Sequence, residues 1–354
     1  MIERFSKLLR RFSRKAGRAT RELAGSEDGY RGKLLRELEH FDQCMNVHDL
    51  PDIFHYWSNK YLLPMFQPFG FTSPNDFFLR KCLERCQGAA PNPVSAISIG
   101  AGNCDLEIEI AEKVSAEGFA HFRMDCIEIN TSMVERAKAR LEGSPAAGMM
   151  HFLPEDFNRW RPQPQNYDII IANQSLHHVL ELEHLFDSIK RGLKKDGWFL
   201  ASDMIGRNGH QRWPEALAMV ERFWQELPDS HRYNHQLRRW EQTYINHDCS
   251  SEGFEGIRAQ DILPLLTERF HFDTFIPYGN IIFVFIDRPF GHNFDVESEW
   301  DRNFIDRVHA ADEKAMLAGE IKPTSMIAAM TLEQCNARLR DPLLTPRFCV
   351  RPVQ

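Results

Sequence analysis

The sequence contains no apolar run long enough to cross a membrane. Residues 281–286, IIFVFI, form one of its most apolar stretches, whereas a membrane-spanning helix takes about 20 such residues. We also find no internal repeat, no low-complexity segment and, within residues 1–25, no apolar core with the small-residue cleavage site of a secretory signal. These absences exclude an integral membrane helix and favour a globular protein of the cytoplasm.

The eight cysteines are scattered, and none forms a C-x-x-C pair. Cys82 and Cys86 can share one face of a helix, but two ligands do not make a metal site. Cys104 and Cys126 fall in or beside predicted core strands. Buried reduced thiols therefore fit better than disulfides or zinc ligands, and we expect a cytoplasmic protein without a metal.

The net charge of −7 is distributed unevenly. Eight Lys or Arg against two Glu give residues 1–25 a charge of +6, which leaves −13 on the remainder. Because the residues after 25 are strongly acidic, broad nucleic-acid binding is disfavoured, and no nucleic-acid partner is expected.

Apolar residues recur within residues 1–25 at three- and four-residue steps, with basic side chains around the other face. This pattern predicts a basic amphipathic helix that packs on its own domain. Two alternatives remain open, a peripheral contact with the inner membrane surface and, less favoured, binding to nucleic acid.

Residues 26–92 predict a helical, aromatic segment, with a helix beginning at Ser73-Pro74. Such helices usually serve packing. Because the segment directly precedes a nucleotide-type core, a lid over the ligand is the functional alternative.

From residue 93 to 205, short apolar strands alternate with helical segments. Repeated β-α units of this kind predict a doubly wound, Rossmann-like α/β sheet, mostly parallel, whose ligand lies beyond the carboxyl ends of the strands. Residues 206–269 then predict a helical insert, and residues 270–288 a closing strand pair of which the final strand is antiparallel. Residues 289–354 carry no clear motif and form a C-terminal extension.

Glycines and acids follow the predicted strands. Gly100 and Gly102 make a turn that can approach a ligand closely, ahead of a helix whose first N–H groups are unsatisfied. Glu128 closes the second strand, where a carboxylate can accept from both hydroxyls of a ribose. Asp156 follows the third strand and can accept from an adenine amino group while Phe157 packs on the base. Asp168 begins its strand, on the wrong edge for the ligand, and is predicted to be structural.

Five segments occur in the order and spacing of class I S-adenosylmethionine-dependent methyltransferases, which the chain resembles over roughly residues 94–204. The segments are ISIGAGNCD at 97–105, CIEIN at 126–130, EDF at 155–157, YDIIIAN at 167–173 and LKKDGW at 193–198.

The resemblance implies S-adenosylmethionine as cofactor, with Gly100 and Gly102 at its methionyl part, Glu128 on the ribose and Asn173 bordering the sulfonium. The full set of cofactor residues that it implies is Gly100, Ala101, Gly102, Asp105, Glu128, Ile129, Asp156, Phe157 and Asn173. Two positions depart from the family's pattern. Ser98 stands where an acid is frequent, and Cys104 replaces a frequent third glycine; an acid from Asp105 or from the lid is expected to substitute.

His177 and His178 follow Asn173 within five residues and are the candidate catalytic bases, since a hydroxyl nucleophile must lose its proton. Packing is the alternative role for both. The insert, where this family's substrate specificity usually resides, offers His247, Asp248, Glu252 and Arg258 as tentative substrate residues, with His235 and Glu255 as further candidates.

We therefore expect a methyltransferase acting on a small polar acceptor, by O-methylation of a glycan or a related metabolite. A nicotinamide-dependent dehydrogenase is disfavoured because its fingerprint needs a glycine where Asp105 stands. The remaining alternative is a degenerate methyltransferase fold that serves as a binding subunit. The sequence does not predict an oligomeric state.

Overall fold

The computed structural model describes residues 30, 32–34, 50–251 and 253–352. Most of its strands form one eight-stranded sheet in the order β10-β8-β9-β5-β4-β1-β2-β3, and β6 and β7 form a small separate hairpin. The strands are β1 Val94–Ile99, β2 Phe122–Ile127, β3 Met150–Leu153, β4 Tyr167–Asn173, β5 Leu193–Met204, β6 Tyr233–Asn234, β7 Arg239–Trp240, β8 His271–Tyr278, β9 Ser325–Thr331 and β10 Arg338–Leu339.

Strand pairing in the large sheet is parallel except at β9, which runs antiparallel to both of its neighbours, β5 and β8. Alternate residues of β4 face opposite sides, so that Ile169 and Ile171 pack in one apolar cluster while Ile170 and Ala172 pack in the other. A strand buried on both faces must be apolar throughout, as the sequence of β4 is. The predicted fold class, a mostly parallel doubly wound sheet, is confirmed.

Helices cover both faces of the sheet and begin at side-chain caps where the sequence supplies them. The Ser73 hydroxyl accepts from the Asp76 N–H at the start of α3, and the Asn130 side chain accepts from two N–H groups at the start of α5. The helices are α1 Asp52–Trp57, α2 Leu63–Phe66, α3 Pro74–Ala89, α4 Asp105–Ala116, α5 Thr131–Leu141, α6 Leu182–Gly192, α7 Pro214–Glu226, α8 Ala259–Arg269, α9 Ile282–Ile286, α10 Glu299–Ala318 and α11 Pro346–Cys349. None of the helices in the described ranges is long and apolar enough to span a membrane.

The closing strand pair predicted for residues 270–288 is wrong in its second strand. Residues 280–287 contain helix α9, because the carboxylate of Asp312 accepts from the backbone N–H groups of Asn280 and Ile281 and so caps the helix start. A short apolar run does not distinguish a buried helix from a strand. The antiparallel partner of β8 is β9, and residues 289–354 therefore contribute to the sheet itself instead of forming only an extension.

The lid predicted for residues 26–92 is wrong for helix α3, which lies at the opposite edge of the sheet from the predicted ligand, and stays a prediction for the rest of the segment. Helix α3 is fixed at the starts of the strands, where Arg85 binds Asp168 at 2.7 Å, and α1 is tied to α10 by the hydroxyl of Tyr56 on Asp306. The hydroxyl of Tyr30 donates a hydrogen bond to a predicted cofactor residue, Asp156. The basic helix predicted over residues 1–25 lies outside the described residues.

We expect Asp168→Asn to destabilise the protein by about 3 kcal/mol without changing its cofactor affinity. Asp168 is buried, and its carboxylate accepts from Arg85, Lys194 and the Ser95 N–H. Burial alone would raise the pKa of Asp168, but these donors hold it below its ordinary value. The contribution is therefore present above the unfolded-state pKa of about 3.9 and is lost as pH falls through the lower folded-state pKa.

Chemical denaturation at pH 7 and in acid measures this difference. The matched control is Asp196→Asn, which removes an exposed partner of the same Arg85 and should change stability little. Equal effects of the two substitutions at pH 7 would contradict the structural role of Asp168.

Candidate active site

The turn after β1 requires glycine at its first position. Gly100 has φ +68°, and a Cβ placed there would lie 2.8 Å from the Cβ of Ser175. Gly102 has φ +57°, and Cys104 takes a similar left-handed conformation, with φ +56°, directly before α4. A non-glycine residue can adopt this conformation at a cost of about 1 kcal/mol or more, so Cys104 maintains the turn that the expected third glycine would make.

Glu128 supports this turn from the end of β2. One carboxylate oxygen accepts from the Gly102 N–H at 2.9 Å, and the other accepts from the Asn130 N–H at 2.8 Å. Burial raises the pKa of Glu128, although the backbone donors and the neighbouring His178 act against that rise.

An acid that the sequence analysis did not name, Glu107 in the first turn of α4, lies beside Ser98. The Ser98 hydroxyl donates to the Glu107 carboxyl at 2.6 Å, and burial raises the pKa of Glu107 to about 7. Asp105 points away to form an ion pair with Arg140 on α5. Sequence spacing missed Glu107 because the acid reaches Ser98 from the following helix and not from the strand.

The predicted adenine end is organised around Asp156. Its carboxylate accepts from the Asn158 N–H at 2.9 Å and from the hydroxyl of Tyr30 at 2.7 Å. The Phe157 ring approaches the glycine turn, since its Cε1 lies 3.4 Å from a Cβ built at Gly100. Tyr30 therefore covers this end of the site, while Phe157 connects it to the turn.

The opposite end of the site is built on Asp203, a fully buried residue near the end of β5. Its carboxylate accepts from the N–H groups of Ser175, Leu176 and Met204 and contacts Nδ1 of His177 at 2.7 Å. These bonds fix the segment that follows β4 and aim the imidazole of His177. Asp203 gave no signal in the sequence because nothing there shows which strand-end acid faces a histidine.

Three imidazoles surround the carboxylate of Glu255. Nε2 of His210 lies 2.6 Å from it, and Nε2 of His177 and of His178 each lie 3.5 Å away. Burial would raise the pKa of Glu255, but the His210 hydrogen bond and the imidazoles hold it well below its ordinary value; burial lowers the pKa of His210. We call these four residues, His177, His178, His210 and Glu255, the histidine cluster. Glu255 was among the sequence candidates, whereas His210 was missed.

The tentative substrate residues do not join the histidine cluster as a group. His247 is exposed, and Asp248 is exposed with its carboxylate bound to Ser250 and close to Gly209. The guanidinium of Arg258 binds Glu183, with contacts of 2.6 and 2.9 Å, and so secures α8 to α6. Glu252 lies outside the described residues. Substrate contact by any of these remains a prediction.

The site fits S-adenosylmethionine on features that packing alone does not require. The Ser175 hydroxyl is buried beside Gly100 and has no hydrogen-bond partner among the described residues, so it can bind a polar group held at the turn. Asn173 ends β4 half-buried at the same edge. The predicted cofactor residues, with the exception of Asp105, thus remain candidates on this edge of the sheet.

Residues 93–266 match the family model of a methyltransferase domain, just under half of the chain. No curated protein matches the chain. Among solved structures, the chain is similar to a DszA carbon methyltransferase, with 19% sequence identity and a TM-score of 0.33. The similarity covers 37% of this chain and 35% of that chain.

Two further similarities are to an S-adenosylmethionine-dependent methyltransferase of Aquifex aeolicus and a geranyl diphosphate C-methyltransferase of Streptomyces coelicolor A3(2). The first has 15% identity, 36% and 63% coverage of the two chains and a TM-score of 0.29. The second has 9% identity, 72% and 76% coverage and a TM-score of 0.42. The chain spans about a third to two thirds of the length of the first solved structures it matches.

Proposed function

We propose that this chain, whose residues 93–266 match a methyltransferase domain, is a class I S-adenosylmethionine-dependent methyltransferase that methylates a hydroxyl oxygen of a small polar acceptor such as a glycan. The observation that carries this proposal is the histidine cluster beside the end of β4, where the acceptor meets the cofactor. A hydroxyl loses its proton as it is methylated, so it needs a group that holds its hydrogen and takes the proton, and an imidazole beside a carboxylate can do both.

The bound cofactor supplies a methyl group on a positively charged sulfur. Gly100 and Gly102 would hold its methionyl part, Glu128 its ribose and Asp156 its adenine. The main task of the protein is then alignment, which can contribute about 7 to 11 kcal/mol to lowering the barrier.

The histidine cluster orients the acceptor by accepting its hydroxyl hydrogen. The acceptor oxygen would gain the methyl group and lose its proton to an imidazole of the histidine cluster, and the demethylated cofactor would be the other product.

The alternative, a non-catalytic binding subunit, was motivated by the two departures from the family's pattern, Ser98 and Cys104. Both departures are compensated in the structure, since Glu107 bonds to Ser98 and Cys104 adopts the left-handed turn. The hypothesis of an active enzyme is therefore better supported than that of a binding subunit.

Transfer of labelled methyl groups from S-adenosylmethionine to a panel of sugar, polyol, thiol and isoprenoid acceptors tests the proposal. We expect hydroxyl acceptors to be labelled, and His178→Asn to lower kcat by about 10²- to 10⁴-fold without weakening cofactor binding. The control is His235→Asn, which alters a histidine bonded to Asn293 outside the histidine cluster. Labelling of a carbon or sulfur acceptor in preference to every hydroxyl would overturn it.

A further inference from the structure

We propose that Nε2 of His177, Nε2 of His210 and the carboxylate of Glu255 bind one divalent transition-metal cation. The three side chains each offer one ligand atom, and these atoms all lie within 4.8 Å of one another. They come from three separate segments at the same edge of the sheet, after β4, after β5 and before α8. The inference deepens the proposed function and rests on it for the role of the cation, but not for its binding.

The hydrogen bonding of Asp203 determines which nitrogen of His177 is available. Three backbone N–H groups already donate to the Asp203 carboxylate, so the imidazole must present Nδ1–H to it as well. In the neutral ring, Nε2 then carries a lone pair, and it is directed toward an oxygen of Glu255 at 3.5 Å. A lone pair and a carboxylate oxygen repel each other unless a positive charge lies between them.

A carboxylate that orients a metal-binding histidine through its other nitrogen is a recurrent feature of metal sites. Asp203 supplies that arrangement for His177 with a fully buried side chain. Nε2 of His210 meets the same Glu255 oxygen at 2.6 Å, so a cation would take the place of the hydrogen between them.

The charge balance of the neighbourhood also favours a cation. Two carboxylates face these imidazoles, the fully buried Asp203 and the partly exposed Glu255, and a carboxylate taken out of water requires compensating hydrogen bonds or positive charge. Two permanent cations bond to the backbone of these segments: the Arg212 guanidinium donates to the carbonyl of His210, and the Lys33 ammonium donates to the carbonyl of Gly253. A divalent ion would neutralise the pair.

The donor set indicates the class of ion. Two imidazoles and one carboxylate suit first-row transition ions such as Zn²⁺, Fe²⁺ or Co²⁺, whereas Mg²⁺ and Ca²⁺ prefer oxygen ligands. Three protein ligands leave a coordination position open, as in catalytic metal sites. The acceptor hydroxyl would occupy that position, next to the end of β4 where the methyl group is delivered.

Calorimetric titration of the untagged full-length protein with Co²⁺ tests the binding. We expect one equivalent to bind, with a visible spectrum free of the thiolate charge-transfer band that cysteine ligands would give. His210→Ala and Glu255→Gln should each abolish this binding. His231→Ala is the matched control, because His231 forms a similar contact, 3.0 Å from Asp301, outside the histidine cluster. Binding that survives both ligand substitutions, or no Co²⁺ binding by the wild type, would overturn the proposal.

Cofactor titrations separate this outcome from a failure of the proposed function. His210→Ala and Glu255→Gln should retain the wild-type affinity for S-adenosylmethionine, which shows that the variants are folded. A wild type that binds Co²⁺ through these residues but labels no hydroxyl acceptor would support the metal site and contradict O-methylation. If the wild type labelled a hydroxyl acceptor but bound no Co²⁺, the result would support O-methylation and contradict the metal site.

Discussion

Asp203→Asn should lower kcat for methyl transfer by about 10²- to 10⁴-fold while the dissociation constant for S-adenosylmethionine stays at its wild-type value. Asparagine has the same shape as aspartate, but one of its two terminal groups is an NH₂ that donates. In the variant this NH₂ group faces N–H donors that in the wild type donate to a carboxylate oxygen. His177 then loses the acceptor that fixes its Nδ1–H tautomer, and the imidazole turns or changes its protonated nitrogen. Asp203 is thus a positioning residue that acts through His177.

Asp203→Leu separates positioning from stability. It leaves three backbone N–H groups and one imidazole N–H without their buried acceptor, which should cost about 4 kcal/mol, a large part of the usual stability of a domain. We expect this variant to unfold at markedly lower temperature, whereas Asp203→Asn remains folded.

Steady-state kinetics, with kcat and KM for the acceptor measured separately, distinguish the roles. The control is Asp125→Asn, on β2. Asp125 is another buried aspartate, and its carboxylate accepts from Arg123 and Tyr167. That substitution should reduce stability and leave kcat unchanged. Equal losses of kcat in the Asp125 and Asp203 variants would show that burial, and not the contact with His177, explains the effect.

The core of the fold could be predicted because its signals are local. Strand β4 is apolar along its length, and the Gly100 turn, Glu128 and Asp156 each follow a strand end that periodicity identifies. Parallel strands bring their carboxyl ends to one edge, so acids distant in the sequence could be placed together without knowing any contact.

The errors arose where long-range contacts decide the structure. The sequence of residues 280–287 is as compatible with a strand as with a helix. The carboxylate of Asp312, on helix α10, accepts from the N–H of Asn280 and so favours the start of α9. The expectation of no metal stays a prediction; spacing rules detect ligands that are close in the sequence and could not group His177, His210 and Glu255, which belong to three segments. Glu107 likewise reaches Ser98 across a turn whose path the sequence does not reveal.

Glu128→Ala should abolish detectable binding of S-adenosylmethionine, or weaken it by at least about 100-fold. The carboxylate is expected to accept from both ribose hydroxyls, and hydrogen bonds to a charged group contribute about 1.5 to 3 kcal/mol each. The same oxygens also hold the N–H groups of Gly102 and Asn130, so the substitution loosens the glycine turn that receives the methionyl part. Loss of ribose contacts and loss of the ordered turn therefore act in the same direction.

Calorimetry, together with the rise in Tm on adding S-adenosylmethionine, measures the effect of Glu128. The matched control is Glu155→Ala, because Glu155 is an exposed acid just beyond β3, at the same edge of the sheet, and should leave the affinity unchanged. Glu128→Gln keeps the length of the side chain but places an NH₂ group against a backbone donor, so its affinity should fall between those of wild type and Glu128→Ala. If folded Glu128→Ala bound the cofactor as tightly as the Glu155 control, the ribose would have to lie elsewhere, and the assignment of the Gly100 turn to the methionyl part would fall with it.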